Sequence, residues 1–322
     1  MPIRQNIINN PKSERVRRVA DLSNRRSRER SGRFLVEGPQ SVREAVRYMP
    51  QVITDVYVTV SDDPERSSRD PELARHGYEG SPETMPDDVP VSALLSPIVA
   101  EAAKAGLYVH LCMPGVIERM SRDAQGIVAV GDAEAMRAAM CDAFDDAACG
   151  ISAGDAPTLV AAFWQVRDPG NAGTVIRAAD AAGCMGVVFV DDCVEELNPK
   201  VIRSTAGSLF HLPVVTMTTD GFFAWCDGRG LPVTAADVYG TPANRPRPLP
   251  EVLSDDEVSR APRAVLFGNE ARGLPADILE RAAQVVSIPL YGRAESLNLG
   301  TSAAVMLMSM AMSSHVRSCP EE

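Results

Sequence analysis

From Thr158 onward, short apolar runs alternate with amphipathic stretches of helical length. Short apolar runs bounded by loops are typical of buried strands, and longer stretches with helical periodicity predict helices. The predicted strands are 158–166, 186–190, 213–217, 231–236, 263–267 and 284–288. The predicted helices are 172–182, 198–207, 275–282 and 298–314, with a weaker one near 221–227. This alternation predicts a parallel α/β sheet covered on both faces.

The first half of the chain has a more mixed pattern. Residues 1–12 lack periodicity and are predicted to be disordered, and a highly charged helix is predicted from Ser13 to about Arg30. The other predicted strands here are 34–38, 51–60, 107–111 and 126–132, and the predicted helices begin at Pro39 and cover 92–104, 114–121 and 133–143. Two Pro-rich, charged stretches, 61–90 and 239–262, are predicted to be loop or disordered insertions.

The length and the linker signals predict two domains. The chain has 322 residues, and domains commonly hold roughly 100–200 residues. The segment 149–157 is made of small residues and contains glycine, as linkers often do. We therefore predict an N-terminal domain over 1–150 and an α/β domain over 151–322.

The charge is unevenly distributed. The net charge of −11 opposes a nucleic-acid partner for the chain as a whole, but residues 1–47 hold twelve Lys or Arg against five Asp or Glu. A basic arm on an acidic body fits a protein that contacts phosphates through one face. The arginines expected to make these contacts are Arg15, Arg17, Arg18, Arg25, Arg26, Arg28, Arg30 and Arg33. A solvated helix without a partner is equally compatible with this charge.

Several classes of protein have little support. No apolar run approaches the ~20 residues of a membrane helix, and the polar, basic N-terminus does not resemble a signal peptide, so we expect a cytoplasmic protein without a membrane partner. The seven cysteines form no CxxC pair and the four histidines are isolated, so we expect no metal site. The sequence also lacks the GK[ST] and GxGxxG patterns of phosphate-binding loops and dinucleotide folds.

Three strand-to-helix junctions in the second half carry candidate chemistry. In the first, 165–183, Asn171 is a candidate helix cap and Gly173 lets the backbone approach a ligand closely. Arg177 follows in the same helix, where it is either functional or an arginine that extends to the surface. In the second, 264–275, an apolar strand leads into a loop bracketed by glycines that carries Glu270. Open α/β sheets bind ligands at such strand ends, although an ordinary turn would look similar.

The third junction, 286–312, follows the last predicted strand. Its loop carries Ser296 and leads through Leu297 and Asn298 into a Met-rich helix. That helix is better explained as core or as a subunit interface than as a cofactor-binding element.

Taken together, these junctions resemble the three motifs of the SpoU/TrmH family of the SPOUT superfamily, in order and in register. The matching residues are Asn171-Ala172-Gly173 with Arg177, then Gly268-Asn269-Glu270 with Gly273-Leu274, then Ile288-Pro289, Gly292 and Ser296-Leu297-Asn298. The segment 198–214 resembles the family's stretch between the first two motifs, and 34–46 resembles its accessory substrate-binding domain. After Asn298 the family commonly continues with Val-Ser, whereas this chain has Leu299-Gly300-Thr301. A glycine early in a helix costs about 1 kcal/mol relative to alanine.

The resemblance implies a SPOUT-type catalytic domain with a parallel sheet and a trefoil knot, preceded by a smaller, ribosomal-protein-like α/β RNA-binding domain. It implies a homodimer that transfers a methyl group from S-adenosylmethionine to a ribose 2'-hydroxyl of RNA. The residues that it assigns to catalysis are Arg177, Asn171, Glu270, Ser296 and Asn298. Those that it assigns to the cofactor pocket are Gly268, Ile288 and Leu297, with Leu266, Phe267 and Leu290 adjacent.

The sequence is compatible with two roles for Arg177. The family's mechanism makes this arginine the general base, tuned by Ser296. Because a guanidinium rarely loses a proton in proteins, the side chain would alternatively clamp a phosphate and stabilise the developing alkoxide. Ribosomal RNA is the expected substrate. The alternatives are transfer RNA, a non-catalytic knotted RNA-binding or assembly protein, and a small-molecule methyltransferase, which would leave the basic arm without a purpose.

Overall fold

The computed structural model describes residues 3–60, 91–151, 158–255 and 261–316. The chain forms two compact units. The first comprises residues 1–137 together with 197–211, and the second comprises 138–196 together with 212–322. The boundary after Arg137 falls inside a helix. Residues 152–157 of the predicted linker at 149–157 and the whole predicted insertion at 61–90 lie outside the described residues. The predicted domain limits of 1–150 and 151–322 stay predictions.

The first unit is built around a five-stranded mixed sheet with the order β1-β4-β3-β5-β2. Its strands are β1 (Ile3–Ile8), β2 (Arg33–Glu37), β3 (Ile53–Thr59), β4 (Tyr108–Cys112) and β5 (Ile127–Asp132). Its helices are α1 (Glu14–Asp21), α2 (Arg25–Ser31), α3 (Pro39–Tyr48), α4 (Ser96–Lys104), α5 (Pro114–Met120) and the start of α6 (Ala133–Cys149). Helix α8 (Pro199–Ser204) also belongs to this unit.

Two predictions for this unit are wrong in detail. Residues 3–8, expected to be disordered, form strand β1, which pairs in parallel with β4. Backbone pairing with a distant strand stabilises this segment, and local composition does not reveal such a partner. The single helix expected from Ser13 to Arg30 is two helices, because Ser13 caps α1 and Asn24 caps α2 through their side-chain oxygens.

The segment 197–211 is held in the first unit by buried carboxylates. Arg203 of α8 forms an ion pair with Glu37 at 3.3 Å, and Glu37 also accepts a hydrogen bond of 2.6 Å from the Ser121 hydroxyl. His211 lies 3.2 Å from Glu44 of α3, which is itself buried. These contacts place a stretch of the predicted catalytic domain in the N-terminal unit.

The second unit contains a seven-stranded sheet with the order β10-β12-β9-β11-β6-β7-β8, and every pairing in it is parallel. Its strands are β6 (Leu159–Trp164), β7 (Gly186–Val190), β8 (Val214–Met217), β9 (Val233–Ala236), β10 (Arg247–Pro248), β11 (Arg263–Phe267) and β12 (Gln284–Ser287). Its helices are α7 (Pro169–Ala181), α9 (Thr219–Asp227), α10 (Leu249–Ser254), α11 (Ala276–Arg281) and α12 (Leu299–Val316).

The predicted parallel α/β architecture is therefore confirmed for this unit, and a smaller α/β unit precedes it. The predicted strands are buried, as both-face coverage requires: all six residues of β6 and all five of β7 are inaccessible to solvent. The prediction of a loop or disordered insertion at 239–262 is wrong in part, because β10 and α10 form within these residues. The knot stays a prediction. Within the described ranges, no helix has the length and apolar character that crossing a membrane requires.

Candidate active site

Three loops at one edge of the parallel sheet carry the residues that the sequence singled out. The loops follow β6, β11 and β12, and β9 lies between β11 and β12 in the sheet. Because the strands are parallel, their carboxyl ends meet at the same edge. The three junctions that are far apart in the sequence are therefore neighbours in the structure.

Helix α7 begins earlier than the sequence suggested. The cap is Asp168, whose side chain accepts a hydrogen bond of 2.8 Å from the backbone N–H of Asn171, and Pro169 occupies the first helical turn. The prediction that Asn171 caps the helix is wrong, because the carboxylate of Asp168 already fills that role. The Asn171 side chain is consequently available for contacts outside its own helix.

A polar chain of side chains connects the three loops. The Asn171 amide donates to the Glu270 carboxylate at 3.1 Å, and the Asn298 amide donates to the Asn171 side-chain oxygen at 3.0 Å. Each of these residues belongs to a different motif. Three of the residues that the resemblance assigns to catalysis are therefore neighbours in the structure, and their catalytic role stays a prediction.

The loop after β11 is closed on itself. Asn269 and Gly273 form an isolated antiparallel bridge, with backbone hydrogen bonds of 3.2 and 2.8 Å. A Cβ atom on Gly268 would lie 2.4 Å from the carbonyl carbon of Gly273, so only glycine fits there. The Asn269 side chain also donates to the backbone oxygen of Gln165 at 2.8 Å, and Gln165 has a positive φ of 52°. These contacts hold Glu270 at the tip of a rigid loop.

Packing between two helices explains why this chain has Gly300 where the family commonly has serine. Asn298 caps helix α12 by accepting a hydrogen bond of 2.9 Å from the Gly300 N–H. Gly300 lies against Thr174 of α7, where a Cβ atom would approach the Thr174 Cγ2 atom within 2.6 Å. The glycine that weakens the helix on propensity grounds is therefore the residue that allows α12 to pack closely on α7.

A cavity of about 680 Å³ opens beside the polar chain. The predicted pocket residues that line it are Phe267, Gly268, Ile288, Leu290 and Leu297, together with the predicted catalytic residues Glu270, Ser296 and Asn298. Leu266, predicted to be adjacent, is only 1% exposed in β11 and does not line the cavity. A shallower cleft shares Asn269 and Glu270 with the cavity and extends to Arg167 and Asn171.

Arg177 lies apart from the cavity. It is exposed on α7, six residues after Asn171, and it does not line the cavity. Six helical residues span about 9 Å, and Asn171, Thr174 and Arg177 follow the three-residue spacing of one helix face. Among the residues that the structure describes, none forms a hydrogen bond or an ion pair with the Arg177 guanidinium.

The sequence analysis missed the loop after β9, which forms one wall of the cavity. Asp237, Val238, Tyr239 and Gly240 all line it, and the Tyr239 side chain is 83% exposed. The sequence did contain a signal for this loop, because Asp237 directly follows the predicted strand 231–236 of a parallel sheet. It was overlooked because the residues 239–262 were interpreted as an insertion.

The basic arm of the first unit is only partly a surface feature. Arg28 is 3% exposed and donates to the backbone oxygens of Leu22 at 2.8 Å and Ser23 at 3.1 Å. The expectation that it contacts phosphates is wrong, because its guanidinium links the end of α1 to α2. The remaining arm arginines with exposed side chains are Arg15, Arg17, Arg18, Arg25, Arg26 and Arg30.

The described residues contain no group of three or more His, Cys, Asp or Glu side chains arranged to hold a metal ion. Burial raises the pKa of Cys193, near the candidate site, to about 12. A thiol with that pKa is protonated at neutral pH and is a poor metal ligand or nucleophile.

Comparisons with known proteins agree with this geometry. Residues 158–308 match the model of the SpoU rRNA methylase family, and that range contains all three loops and the cavity. The second half of the chain is thus similar to the SpoU methylase family. Residues 13–78 match the model of the MRM3-like substrate binding domain, which precedes the SpoU domain in the chain.

Curated relatives resemble the SpoU domain at moderate identity. The 23S rRNA (guanosine(2553)-2'-O)-methyltransferase RlmP of Bacillus subtilis is 38% identical over 142 residues, which are 44% of this chain and 53% of that protein. The 23S rRNA (uridine(2479)-2'-O)-methyltransferase of Streptomyces viridochromogenes is 34% identical over 146 residues, which are 45% of this chain and 49% of that one. The chain thus spans about half the length of the curated relatives it matches.

Solved structures match both units of this chain. An AdoMet-bound rRNA methyltransferase from Sinorhizobium meliloti aligns over 97% of this chain and 98% of its own, with a TM-score of 0.67 and 22% identity. The SpoU methyltransferase AviRb from Streptomyces viridochromogenes aligns over 95% and 99%, with a TM-score of 0.65 and 24% identity. At these identities the likeness establishes the fold.

Proposed function

We propose that this protein transfers a methyl group from S-adenosylmethionine to a ribose 2'-hydroxyl of RNA, with ribosomal RNA as the substrate. The observation that carries the proposal is the polar chain of Glu270, Asn171 and Asn298 beside a cavity of cofactor size. Two relatives named as 23S rRNA 2'-O-methyltransferases support the choice of reaction and of RNA.

The cavity suits a nucleoside cofactor. Its volume of about 680 Å³ lies within the range of roughly 300–1,000 Å³ for small-molecule sites. Apolar walls from Phe267, Ile288 and Leu297 would pack on a purine, and Gly268 keeps the backbone close. The cofactor, when bound, supplies a methyl group that its sulfonium already activates. The residues of the chain therefore need to align the acceptor and receive its proton.

The alignment would come from the polar chain. Glu270 lines the cavity and is held by the amides of Asn171 and Asn269, at 3.1 and 3.3 Å. Its carboxylate can accept a hydrogen bond from a ribose hydroxyl, which would orient the attacking oxygen. Asn298, fixed as the cap of α12, keeps Asn171 in place.

Arg177 is proposed to act as a cation toward the RNA. The exposed guanidinium is free to form a bidentate pair with a phosphate, which would also stabilise charge that develops on the attacking oxygen. The proposal favours this role over that of general base, because a guanidinium rarely gives up its proton. The Glu270 carboxylate, which would accept the hydrogen bond of the ribose hydroxyl, is then the group that can receive its proton, and Ser296 lines the same cavity.

We also propose a homodimer. Helix α12 exposes an apolar stripe in which Val305 is 38% exposed and Met312 is 55% exposed, with the half-buried Met308 between them. An exposed apolar stripe on a helix is typical of an interaction surface. Sedimentation analysis should detect a dimer that Val305→Glu with Met312→Glu dissociates. The control change Met113→Glu, at a methionine of the first unit that is 38% exposed, as Val305 is, should leave the dimer intact.

The first unit would select the RNA. Its exposed arginines on α1 and α2 would contact phosphates and make binding salt-dependent, and the MRM3-like domain match supports a substrate-binding role. We propose that these events take place in the cytoplasm.

Mapping 2'-O-methylation in total RNA from cells with and without the gene tests the function. Loss of one ribosomal RNA signal, restored by the wild-type gene but not by an Arg177→Ala variant, is the expected result. If the deletion instead removes a 2'-O-methylation signal from a transfer RNA, transfer RNA is the substrate. If no signal changes and calorimetry detects no binding at millimolar S-adenosylmethionine, the protein is a non-catalytic RNA-binding factor.

A further inference from the structure

Asp237 is a fixed carboxylate in the wall of the cavity. It directly follows β9, and its backbone N–H donates to the Val286 oxygen at 3.1 Å, which extends the pairing of β9 with β12. Its Oδ1 atom accepts hydrogen bonds from the backbone N–H groups of Tyr239 at 2.8 Å and Gly240 at 2.7 Å. One carboxylate oxygen is thus used to build the turn, and it sets the orientation of the other.

The second oxygen lies beside the loop that holds Glu270. A Cβ atom on Gly273 of that loop would lie 3.5 Å from the Oδ2 atom of Asp237, which is ordinary van der Waals contact. Both Asp237 and Gly273 line the cavity. Among the described residues, no donor forms a hydrogen bond with Oδ2. Oδ2 is therefore a preorganised acceptor for a group that the chain itself does not supply.

The position of Asp237 identifies the kind of group. In dinucleotide-binding α/β folds, an acidic residue at the carboxyl edge of the parallel sheet accepts a hydrogen bond from a ribose hydroxyl. Here the carboxylate follows a strand of a parallel sheet and lies beside a cavity with apolar walls for a purine. A carboxylate is an acceptor only, which matches the donor character of a ribose diol.

We propose that Asp237 binds the ribose hydroxyls of the cofactor and so determines specificity for a ribonucleoside donor. This inference rests on the proposed function, because it takes the cavity as the site of S-adenosylmethionine. Asp237 forms no hydrogen bond with Asn171, Glu270 or Asn298 in the polar chain. Its role is therefore in binding, and it is separate from the alignment of the acceptor.

Calorimetry with the full-length protein tests the proposal without measuring activity. The variant is Asp237→Asn, because an amide keeps an oxygen for the Tyr239 and Gly240 N–H groups but replaces Oδ2 with a donor. The probes are S-adenosylhomocysteine and its 2'-deoxy and 3'-deoxy analogues. The matched control is Asp227→Asn, which makes the same charge change at an exposed position that does not line the cavity.

We expect Asp237→Asn to weaken S-adenosylhomocysteine binding about 10- to 100-fold, the value of a hydrogen bond to a charged group. A deoxy analogue that lacks the contacted hydroxyl should bind the wild type weakly and should be insensitive to the substitution. Asp227→Asn should bind all three probes as the wild type does. Unfolding curves without ligand should coincide for the three proteins.

Three outcomes would overturn the assignment. Unchanged affinity of Asp237→Asn would show that Oδ2 makes no contact, and an equal loss for all three probes would show that the turn, rather than the ribose contact, was lost. A loss for S-adenosylhomocysteine but not for 5'-methylthioadenosine, which lacks the amino-acid part, would place Asp237 at the ammonium group. If the wild type bound none of the probes, the proposed function itself would fail, which is a distinct result.

Discussion

Gly300 and Thr174 are in contact at the crossing of helices α12 and α7, with room for a hydrogen but not for a methyl group. A Cβ atom on Gly300 would lie 2.6 Å from the Thr174 Cγ2 atom and 3.1 Å from its Cβ atom. Thr174 cannot easily turn away, because its χ1 is restricted and its hydroxyl donates to the Gly170 oxygen at 2.8 Å. The close approach of α12 to α7 brings Asn298 within reach of Asn171.

We predict that Gly300→Ala destabilises the protein by about 1–2 kcal/mol. Helix propensity alone would favour alanine by about 1 kcal/mol, but overpacking in a constrained contact costs about 1–3 kcal/mol, and the overlap at 2.6 Å places the cost at the upper end. Urea unfolding of the variant measures the change. Because the Asn298–Asn171 bond depends on the same crossing, methyl transfer should fall as well.

Two further variants test the cause. Adding Thr174→Ala to Gly300→Ala removes the overlapping methyl group and should restore most of the lost stability. Gly292→Ala makes the same change in an exposed loop where a Cβ atom meets nothing within 4 Å, and it should be neutral. If the double variant is no more stable than Gly300→Ala, the contact with Thr174 is not the cause.

The sequence predicted the parts of the site that lie in regular strand-to-helix junctions. Asn171, Glu270 and Asn298 were expected to act together, and hydrogen bonds of 3.1 and 3.0 Å connect them. This was possible because strands of a parallel sheet end at one edge, so the order of elements alone brings their loops together.

Other features depend on tertiary partners that a single sequence does not reveal. Strand β1 exists because β4 offers it a backbone edge, and Arg28 is buried because the backbone oxygens of Leu22 and Ser23 point toward it. Asp237 was missed because the other walls of the cavity come from distant parts of the sequence: its neighbour Gly273 is 36 residues away in the chain, and only the fold brings the two together.

We predict that Asn171→Ala slows methyl transfer about 10²-fold while cofactor affinity changes little. Asn171 connects Glu270 to Asn298 but does not line the cavity, so its loss releases the aligning carboxylate without changing the pocket. Misplacement of a reacting group by about 1 Å can cost that factor in rate. Single-turnover assays and calorimetry with S-adenosylhomocysteine separate the two quantities.

The matched control for this prediction is Thr174→Ala, on the same face of α7. Its hydroxyl bonds only to the Gly170 oxygen within its own helix, so the rate should stay within a few-fold of the wild type. A variant Asn171→Ala that lost cofactor affinity in proportion to rate would contradict the assigned role in alignment.

We predict that the arm arginines divide into structural and RNA-binding groups. Arg28→Ala should destabilise the protein by about 2–4 kcal/mol, because it leaves buried backbone oxygens of Leu22 and Ser23 without their donor. Arg26→Ala, at an exposed position of the same helix, should leave stability unchanged and reduce the salt dependence of RNA binding. Urea unfolding and filter binding across a salt series measure the two effects, and equal behaviour of the two variants would contradict the division.

We predict a pH-dependent contribution from Asp191, which has a positive φ of 61° directly after β7. Burial would raise the pKa of Asp191, but hydrogen bonds from Thr219 and from the Trp164 indole outweigh it, so its pKa lies below the ordinary value. Such a carboxyl group contributes its full stabilisation at pH values above its pKa in the unfolded state, about 3.9. The contribution is lost as the pH falls through the lower pKa of the folded state. Asp191→Asn should therefore be less stable than the wild type at pH 7, by about 0.5–1 kcal/mol, because solvent screens the interactions of this partly exposed carboxyl group.

The difference between the two proteins should shrink below pH 4 and vanish once the wild-type carboxyl is protonated. Urea unfolding from pH 7 down to the acid limit of reversible folding measures it, and asparagine is the suitable replacement because it tolerates a positive φ. Asp192→Asn is the matched control, since Asp192 is exposed and its ion pair with Arg167 at 2.8 Å lies in solvent, where such pairs contribute little. A stability difference for Asp191→Asn that stayed constant down to pH 3 would show that the side chain acts through its shape in the turn and not through its charge.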